Sequence, residues 1–196
     1  MMKKKKESTA EWWAKLQADP EFIAQKKERD RVFAERAAKF SAEQAPLLAE
    51  LRSAGLNIQD VSDLINTSDR YESAIPILLK HLLLPYSDVT RETIARSLAV
   101  PDARYAWPIF VAEFKKVTVN EKRLKDGLAV ALAATVTEDV LDDLIAIAKD
   151  SSHGDSRLLL LLRALKKSKG DKGKQALRDL LSDPVLGKEI KRQKML

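Results

Sequence analysis

The chain has 196 residues and no cysteine, and its 35 Lys and Arg against 29 Asp and Glu give a formal net charge of +6. This length fits one domain or two, and the lack of cysteine excludes disulfides and thiolate metal sites within the chain. The longest apolar run, LLLLL at 158–162, is far shorter than the ~20 residues that span a bilayer. No apolar segment follows the basic start MMKKKK, so we expect no secretory signal and a cytoplasmic protein.

The N-terminal third reads as helices joined by short breaks. We expect residues 1–8 to form a disordered basic tail and residues 9–66 to form a helical segment. Within it, the pattern predicts helices over about 9–17, 20–40 and 57–66. Another helix is predicted to begin at Ser41, where Gln44 completes a capping-box spacing, and to end at Gly55.

From residue 70 onward the sequence repeats. AIPILLKHLLL, AWPIFVAEFKK and VLDDLIAIAKD each read as an apolar helix, and each is followed by a turn and an amphipathic second helix. Pro76 and Pro108 are 32 residues apart, and Asp150 and Asp183 are 33 apart. Repeats of this length that each form a helix pair are typical of a solenoid. Residues 70–196 are therefore predicted to hold about four helix pairs.

The first of these units resembles a HEAT repeat, with a proline early in the first helix, Asp in the turn and Arg in the second helix. The resemblance covers roughly residues 70–196. It implies an all-α, right-handed α-solenoid capped by the N-terminal helices. In this frame Ser73 is the expected N-cap that places Pro76 in a first helical turn, where the missing N–H costs little. With Asp102 as the cap, Pro108 would lie about a turn deeper and kink its helix.

An arginine recurs at the start of each second helix, and each has a carboxylate shortly before it. A cation at that end opposes the helix dipole, so each arginine is expected to have a partner. The resemblance implies a structural ladder that holds the turns of adjacent repeats, and a basic ladder for an acidic ligand is the alternative. The residues are Asp88 with Arg91, Glu121 with Arg123, and Asp155 with Arg157.

The remaining face of the second helices is the predicted partner-binding surface, because these helices line the concave side of HEAT-like solenoids. A solvated face without a partner is the alternative. Spacing predicts outward side chains at Glu92, Arg96, Lys122, Lys125, Arg163 and Lys167. The lysine-rich segment RALKKSKGDKGK, 163–174, is predicted to be a loop. It makes binding to a nucleic-acid backbone a second hypothesis.

No residue pattern indicates catalysis. SSHGDS at 151–156 contains Ser, His and Asp, but a triad is assembled from distant segments rather than from one turn. Two histidines without cysteine make a zinc site improbable, and no glycine-rich phosphate loop is present. We therefore predict a non-enzymatic adaptor without a cofactor, metal or small-molecule substrate, which binds another protein and not a membrane.

Of the adjacent Trp12 and Trp13, one is expected to pack and the other to face a surface or a partner, whereas Trp107 is expected in the core.

Overall fold

The computed structural model describes residues 8–167 and 170–196, and in these ranges every regular element is a helix. The predicted tail at 1–8 therefore lies outside the described residues, except for Ser8. The chain forms two compact units, one up to Ala42 and one over Glu43–Leu196. No helix in the described part combines the length and apolar character needed to cross a membrane.

Ten α-helices lie in the described ranges: α1 Thr9–Ala18, α2 Pro20–Ser53, α3 Ile75–Leu82, α4 Asp88–Ser97, α5 Trp107–Lys116, α6 Lys122–Thr135, α7 Leu141–Lys149, α8 Arg157–Arg163, α9 Asp171–Asp179 and α10 Leu186–Arg192. Short 3-10 helices connect many of them, at Val61–Ile65, Glu72–Ala74, Pro101–Ala106, Glu138–Val140, Ser151–Ser156, Leu165–Lys167 and Leu180–Ser182. The all-α prediction is confirmed for these residues.

The smaller unit contains α1 and the first part of α2. Ser8 begins α1 through a reciprocal capping box, in which its hydroxyl accepts from the Glu11 backbone N–H and the Glu11 carboxylate accepts from the Ser8 N–H at 2.9 Å. Neither α1 nor the part of α2 before Gln44 contains a buried residue. From Ser8 onward, the smaller unit therefore has no closed hydrophobic core of its own.

The predicted helix start at Ser41 is wrong, because α2 runs without a break from Pro20 to Ser53 and includes Pro46. Instead of closing a capping box, the Gln44 side chain donates to Asp60 at 2.6 Å and accepts from the Val61 N–H at 3.0 Å. Packing thus overrides the local signal, since Leu47, Leu48 and Leu51 on this stretch are buried in the core.

The predicted end of α2 is confirmed at Gly55, which has φ +91° and makes the αL turn that favours glycine. The Leu56 N–H donates to the Leu51 carbonyl at 3.1 Å, and the Gly55 N–H donates to the Arg52 carbonyl at 3.0 Å, as in a Schellman motif. The predicted helix over 57–66 is shorter and tighter than expected, a 3-10 helix over Val61–Ile65.

The larger unit is built from consecutive helix pairs. Within the pairs, α3 packs on α4, α5 on α6 and α7 on α8. Between pairs, the second helices contact one another, since α4 packs on α6, α6 on α8 and α8 on α10. The large side chains of Phe110, Phe114, Leu124 and Leu128 are fully buried among these helices.

Pro76 and Pro108 occupy the same position in their helices. Pro76 and Pro108 are each the second residue of an α-helix, α3 and α5. The predicted first-turn position of Pro76 is confirmed, but Ser73 is not its cap, since a separate 3-10 helix over Glu72–Ala74 precedes α3. The deeper, kinking position predicted for Pro108 is wrong, because the residues after Val100 form their own 3-10 helix and α5 starts only at Trp107.

Because the backbone N–H groups of a first turn have no partner within the helix, Pro76→Ala is expected to change the free energy of unfolding by less than about 0.5 kcal/mol. Urea unfolding of the full chain followed by far-ultraviolet circular dichroism measures this difference. A loss of more than about 1 kcal/mol would mean that the proline ring itself contributes to core packing.

Candidate macromolecule-binding surfaces

Arg91 and Arg157, near the start of two second helices, each connect their own helix pair to the segment that follows it. Arg91 donates to the Leu82 carbonyl, at the end of the helix before it, and to Glu113 on α5 of the following pair at 2.7 Å. Arg157 donates to the Ala148 carbonyl and, at 2.7 Å, to Asp183 of the following pair. Each guanidinium thus satisfies free helix C-terminal carbonyls and carries an ion pair across a pair boundary.

The corresponding cation of the middle pair is Lys125, not Arg123. Lys125 is only 2% exposed, and its ammonium donates to the Phe114 and Val117 carbonyls at 3.1 and 2.6 Å. Burial lowers its pKa, and the neighbouring Asp150 and Glu121 carboxylates act in the opposite direction. The prediction that Lys125 faces outward is therefore wrong. The Arg123 side chain is 65% exposed and reaches only a distant contact with Glu92, at 3.9 Å.

The carboxylates that precede these cations are not their partners. Asp88 accepts from the Leu124 N–H at 2.8 Å and so caps α6 of the next pair, whose own N-cap residue, Glu121, makes no capping hydrogen bond with its side chain. Glu121 accepts from the backbone and hydroxyl of Thr118. Asp155 is exposed and does not pair with Arg157. The contacts of Arg91 and Arg157 with the next segment therefore use Glu113 and Asp183. None of the three carboxylates expected beside the arginines forms an ion pair with its arginine.

Three of the six residues of the predicted partner-binding surface are paired with an opposite charge on their own helix. Arg96 pairs with Glu92 at 2.9 Å, and Lys122 pairs with Asp126 at 2.6 Å. Charges that are paired along one helix present little net field to a polyanion. Of the other predicted members, the side chain of Lys167 lies outside the described residues and Arg163 is exposed.

Arg163 lines a shallow depression of about 380 Å³ together with Arg104. Arg104 is not among the residues predicted from the sequence. No ion pair or hydrogen bond links the side chain of either arginine to another described residue. Glu138 lies at the same depression, and its apolar lining is made of Ala133, Val136, Leu141 and Ala164. No spacing in the sequence marks Arg104, because it lies in the 3-10 helix between two pairs.

The lysine-rich segment 163–174 is not a single loop. It holds the end of α8, a 3-10 helix over Leu165–Lys167 and the start of α9 at Asp171, and residues 168 and 169 lie outside the described ranges. Lys172 pairs with Asp142 at 2.8 Å, which raises the pKa of this lysine. Lys166 donates to Gln193 at 2.6 Å. Part of the positive charge is thus already engaged within the protein.

The Ser, His and Asp residues of SSHGDS do not converge. Ser156 donates to Asp126 on α6 at 2.6 Å, whereas the ring of His153 lies edge-on to Phe114 with centroids 4.9 Å apart. Burial lowers the pKa of His153, and the positive charge of Lys125 acts in the same direction. Within the described ranges, no three His, Asp or Glu side chains are grouped so that they could hold a metal ion.

The smaller unit exposes aromatic side chains. Trp12 and Trp13 meet edge to face with centroids 5.2 Å apart, yet both are about half exposed, at 49% and 48%. Phe33 is 75% exposed. Neither tryptophan of the pair is fully buried, so the two do not divide into a packed and an exposed ring, whereas Trp107 is buried as expected.

Comparisons with known protein families, with curated proteins and with solved structures find no match to this chain.

Proposed function

We propose that residues 70–196 form a HEAT-like solenoid whose second helices present a binding surface for another protein. The packing of α4 on α6 and of α6 on α8 supports this arrangement, because stacked pairs share one continuous core. The shared second position of Pro76 and Pro108 supports a repeat, as do the pair-bridging contacts of Arg91 and Arg157.

The depression at Arg104 and Arg163 carries the proposed function. Its cations have no partner in the described protein, and they stand beside an apolar floor. Protein interfaces combine such features, since arginine is enriched in them and their centres are apolar. The chain then acts as a non-enzymatic adaptor, and its partner places a carboxylate on the arginines and apolar side chains on the floor.

A protein partner fits this surface better than a nucleic acid. Sequence-independent nucleic-acid affinity depends on many cations that face the phosphates together. On the second helices, Arg96 and Lys122 are each paired with a carboxylate of their own helix. Two unpaired arginines beside an apolar floor favour a compact acidic and apolar contact over a long polyanion.

Charge reversal tests this proposal. In affinity purification from cells that express the native chain, we expect one discrete protein to be recovered in near-equal amount with the wild type. Arg163→Glu and Arg104→Glu are each expected to weaken its binding by about tenfold or more, because each opposes a carboxylate at the centre of the interface. Binding of the purified pair is then measured by isothermal titration calorimetry.

Lys174→Glu is the matched control, since Lys174 is exposed on α9 and lies outside the depression. It should leave the protein complex unchanged. If instead the wild type binds generic duplex at low salt, and Lys174→Glu weakens that binding as much as Arg163→Glu does, the nucleic-acid reading replaces this one. Failure to recover any protein in repeated purifications would also overturn the adaptor function.

A further inference from the structure

One face of α2 in the smaller unit alternates aromatic and basic residues. Their spacing of four, three, four, three and four residues places them on the same side of a helix with 3.6 residues per turn. The residues are Phe22, Lys26, Arg29, Phe33, Arg36 and Phe40. We call this row the aromatic–basic face.

The cations of the aromatic–basic face are available to a partner. On the opposite side of α2, Arg31 forms ion pairs with both Glu28 and Glu35, so these carboxylates are already engaged. No ion pair or hydrogen bond joins the side chains of Lys26, Arg29 and Arg36 to other described residues; these are the three cations of the face. The face thus carries three unpaired cations beside its aromatic residues.

A groove lies at one end of this face. It has a volume of about 390 Å³, within the size range of a small binding pocket. Trp13 and Gln17 of α1 line it together with Phe22, Ile23, Lys26 and Arg29 of α2. Trp13 and Ile23 are each about half exposed in it, which leaves apolar area open to water. Covering that area would be favourable in proportion to the apolar surface removed from water.

The charge of the face decides between occupants. A second copy of the chain would place the same three cations against themselves, and such like-charge contacts oppose association. Residues 8–42 hold seven Lys and Arg against six Asp and Glu, a net charge of only +1, so the unit offers little to a long polyanion. The local combination of apolar groove and unpaired cations instead matches a segment with both apolar and acidic residues.

We propose that this groove binds an amphipathic acidic helix of a partner protein. The large apolar side chains of that helix, repeated at helical spacing, enter between Trp13, Phe22 and Ile23, in the helix-in-groove mode of recognition. Its carboxylates pair with Lys26 and Arg29, and Phe33 extends the contact along α2. This site goes beyond the proposed function, because it uses none of the residues at the Arg104 and Arg163 depression.

The test selects ligands for the full chain from a displayed library of random ~16-residue peptides, long enough for about four helical turns. We expect enrichment of peptides with apolar residues at i, i+3, i+4 and i+7 and with Asp or Glu beside them. Fluorescence anisotropy then measures the selected peptide. Arg29→Glu and Phe33→Ala are each expected to weaken it about tenfold, because they remove a charge partner and an aromatic contact.

Lys27→Glu is the matched control, since Lys27 follows Lys26 but points about 100° away around the helix. It should keep the affinity within about twofold, and so should Arg163→Glu, since neither residue lies on the aromatic–basic face. The proposal is overturned if selection enriches no acidic amphipathic peptides, or if Lys27→Glu weakens binding as much as Arg29→Glu. It is equally overturned if phosphatidylserine vesicles or a single-stranded oligonucleotide bind the groove more tightly than the peptide, with the same loss in Arg29→Glu.

Discussion

Asp183→Ala is expected to lower the free energy of unfolding by about 3–5 kcal/mol, the range found when one partner of a buried ion pair is removed. The Arg157 side chain is only 3% exposed, and Asp183 lies 2.7 Å from it. Without that carboxylate, a buried guanidinium keeps carbonyl partners but has no compensating negative charge. Asp183 also accepts from the N–H groups of Val185 and Leu186 at the start of α10, so the variant loses a helix cap as well.

The same pair gives a pH dependence with a defined sign. Burial acts to raise the pKa of Asp183, but the hydrogen bonds from Arg157 and from the Leu186 and Val185 N–H groups outweigh it and hold the pKa below its ordinary value. A carboxylate with a lowered folded pKa contributes fully above its unfolded value, near 3.9, and loses its contribution as the pH falls through the folded pKa. The difference in unfolding free energy between wild type and Asp183→Ala should therefore be largest at neutral pH and should decrease below about pH 4.

Urea unfolding at several pH values measures both effects. Asp155→Ala is the control, because Asp155 is the carboxylate that the sequence placed beside Arg157 and it is exposed in the structure. Its removal is expected to change the unfolding free energy by no more than about 0.5 kcal/mol. Equal losses for the two variants would show that Arg157 depends on general negative charge rather than on the ion pair with Asp183.

The ladder shows how far sequence alone reaches. A cation every 32 to 34 residues predicted a repeated structural role, and in the structure Arg91 and Arg157 each form an ion pair with a distant segment. This spacing does not identify which cation of α6 corresponds to Arg91 and Arg157. Arg123 and Lys125 both fit the period within two residues, and they differ only in the side of α6 on which they lie. The partners were predicted from neighbouring sequence, whereas Glu113 and Asp183 lie 22 and 26 residues away and become neighbours only when the pairs stack.

The predicted helix start at Ser41 is wrong for a similar reason. Ser41 and Gln44 form a valid capping pattern, and Pro46 adds a local signal against a continuous helix. The competing contacts of Gln44 with Asp60 and Val61 come from a different segment and are invisible to a local pattern. Where the deciding interaction is local, as at Gly55, the prediction holds, since only the αL requirement of the turn is involved.

The candidate surfaces were harder to predict than the helices. Exposure of Arg163 was predicted from its spacing, but its neighbour Arg104 comes from an irregular connection that has no period. The aromatic–basic face was present in the sequence throughout. The sequence shows α2 only as a helix of mixed charge. The structure adds that Arg31 pairs with Glu28 and Glu35, which leaves the cations of the aromatic–basic face without these carboxylates as partners.

Gly187→Ala is expected to lower the free energy of unfolding by about 3 kcal/mol, at the upper end of the usual cost of overpacking. A Cβ at this position would overlap the Leu181 carbonyl oxygen and lie 2.8 Å from its carbonyl carbon. Both are backbone atoms, so no side chain can rotate away, and α10 must move from the 3-10 helix over Leu180–Ser182. The gain in helix propensity from glycine to alanine, about 1 kcal/mol, offsets only part of this cost.

Two further variants make the steric cause testable. At Gly127 the corresponding Cβ would lie 2.9 Å from the Glu92 carbonyl oxygen, where α6 crosses α4. Because this contact is less close, Gly127→Ala should lower the free energy of unfolding by less than Gly187→Ala does. Lys188→Ala follows Gly187 in the same helix but is exposed, and it should be neutral within about 0.5 kcal/mol. Urea unfolding of all three variants ranks their losses in unfolding free energy. If Gly187→Ala proves as stable as Lys188→Ala, the close approach of α10 to the Leu181 backbone does not require glycine.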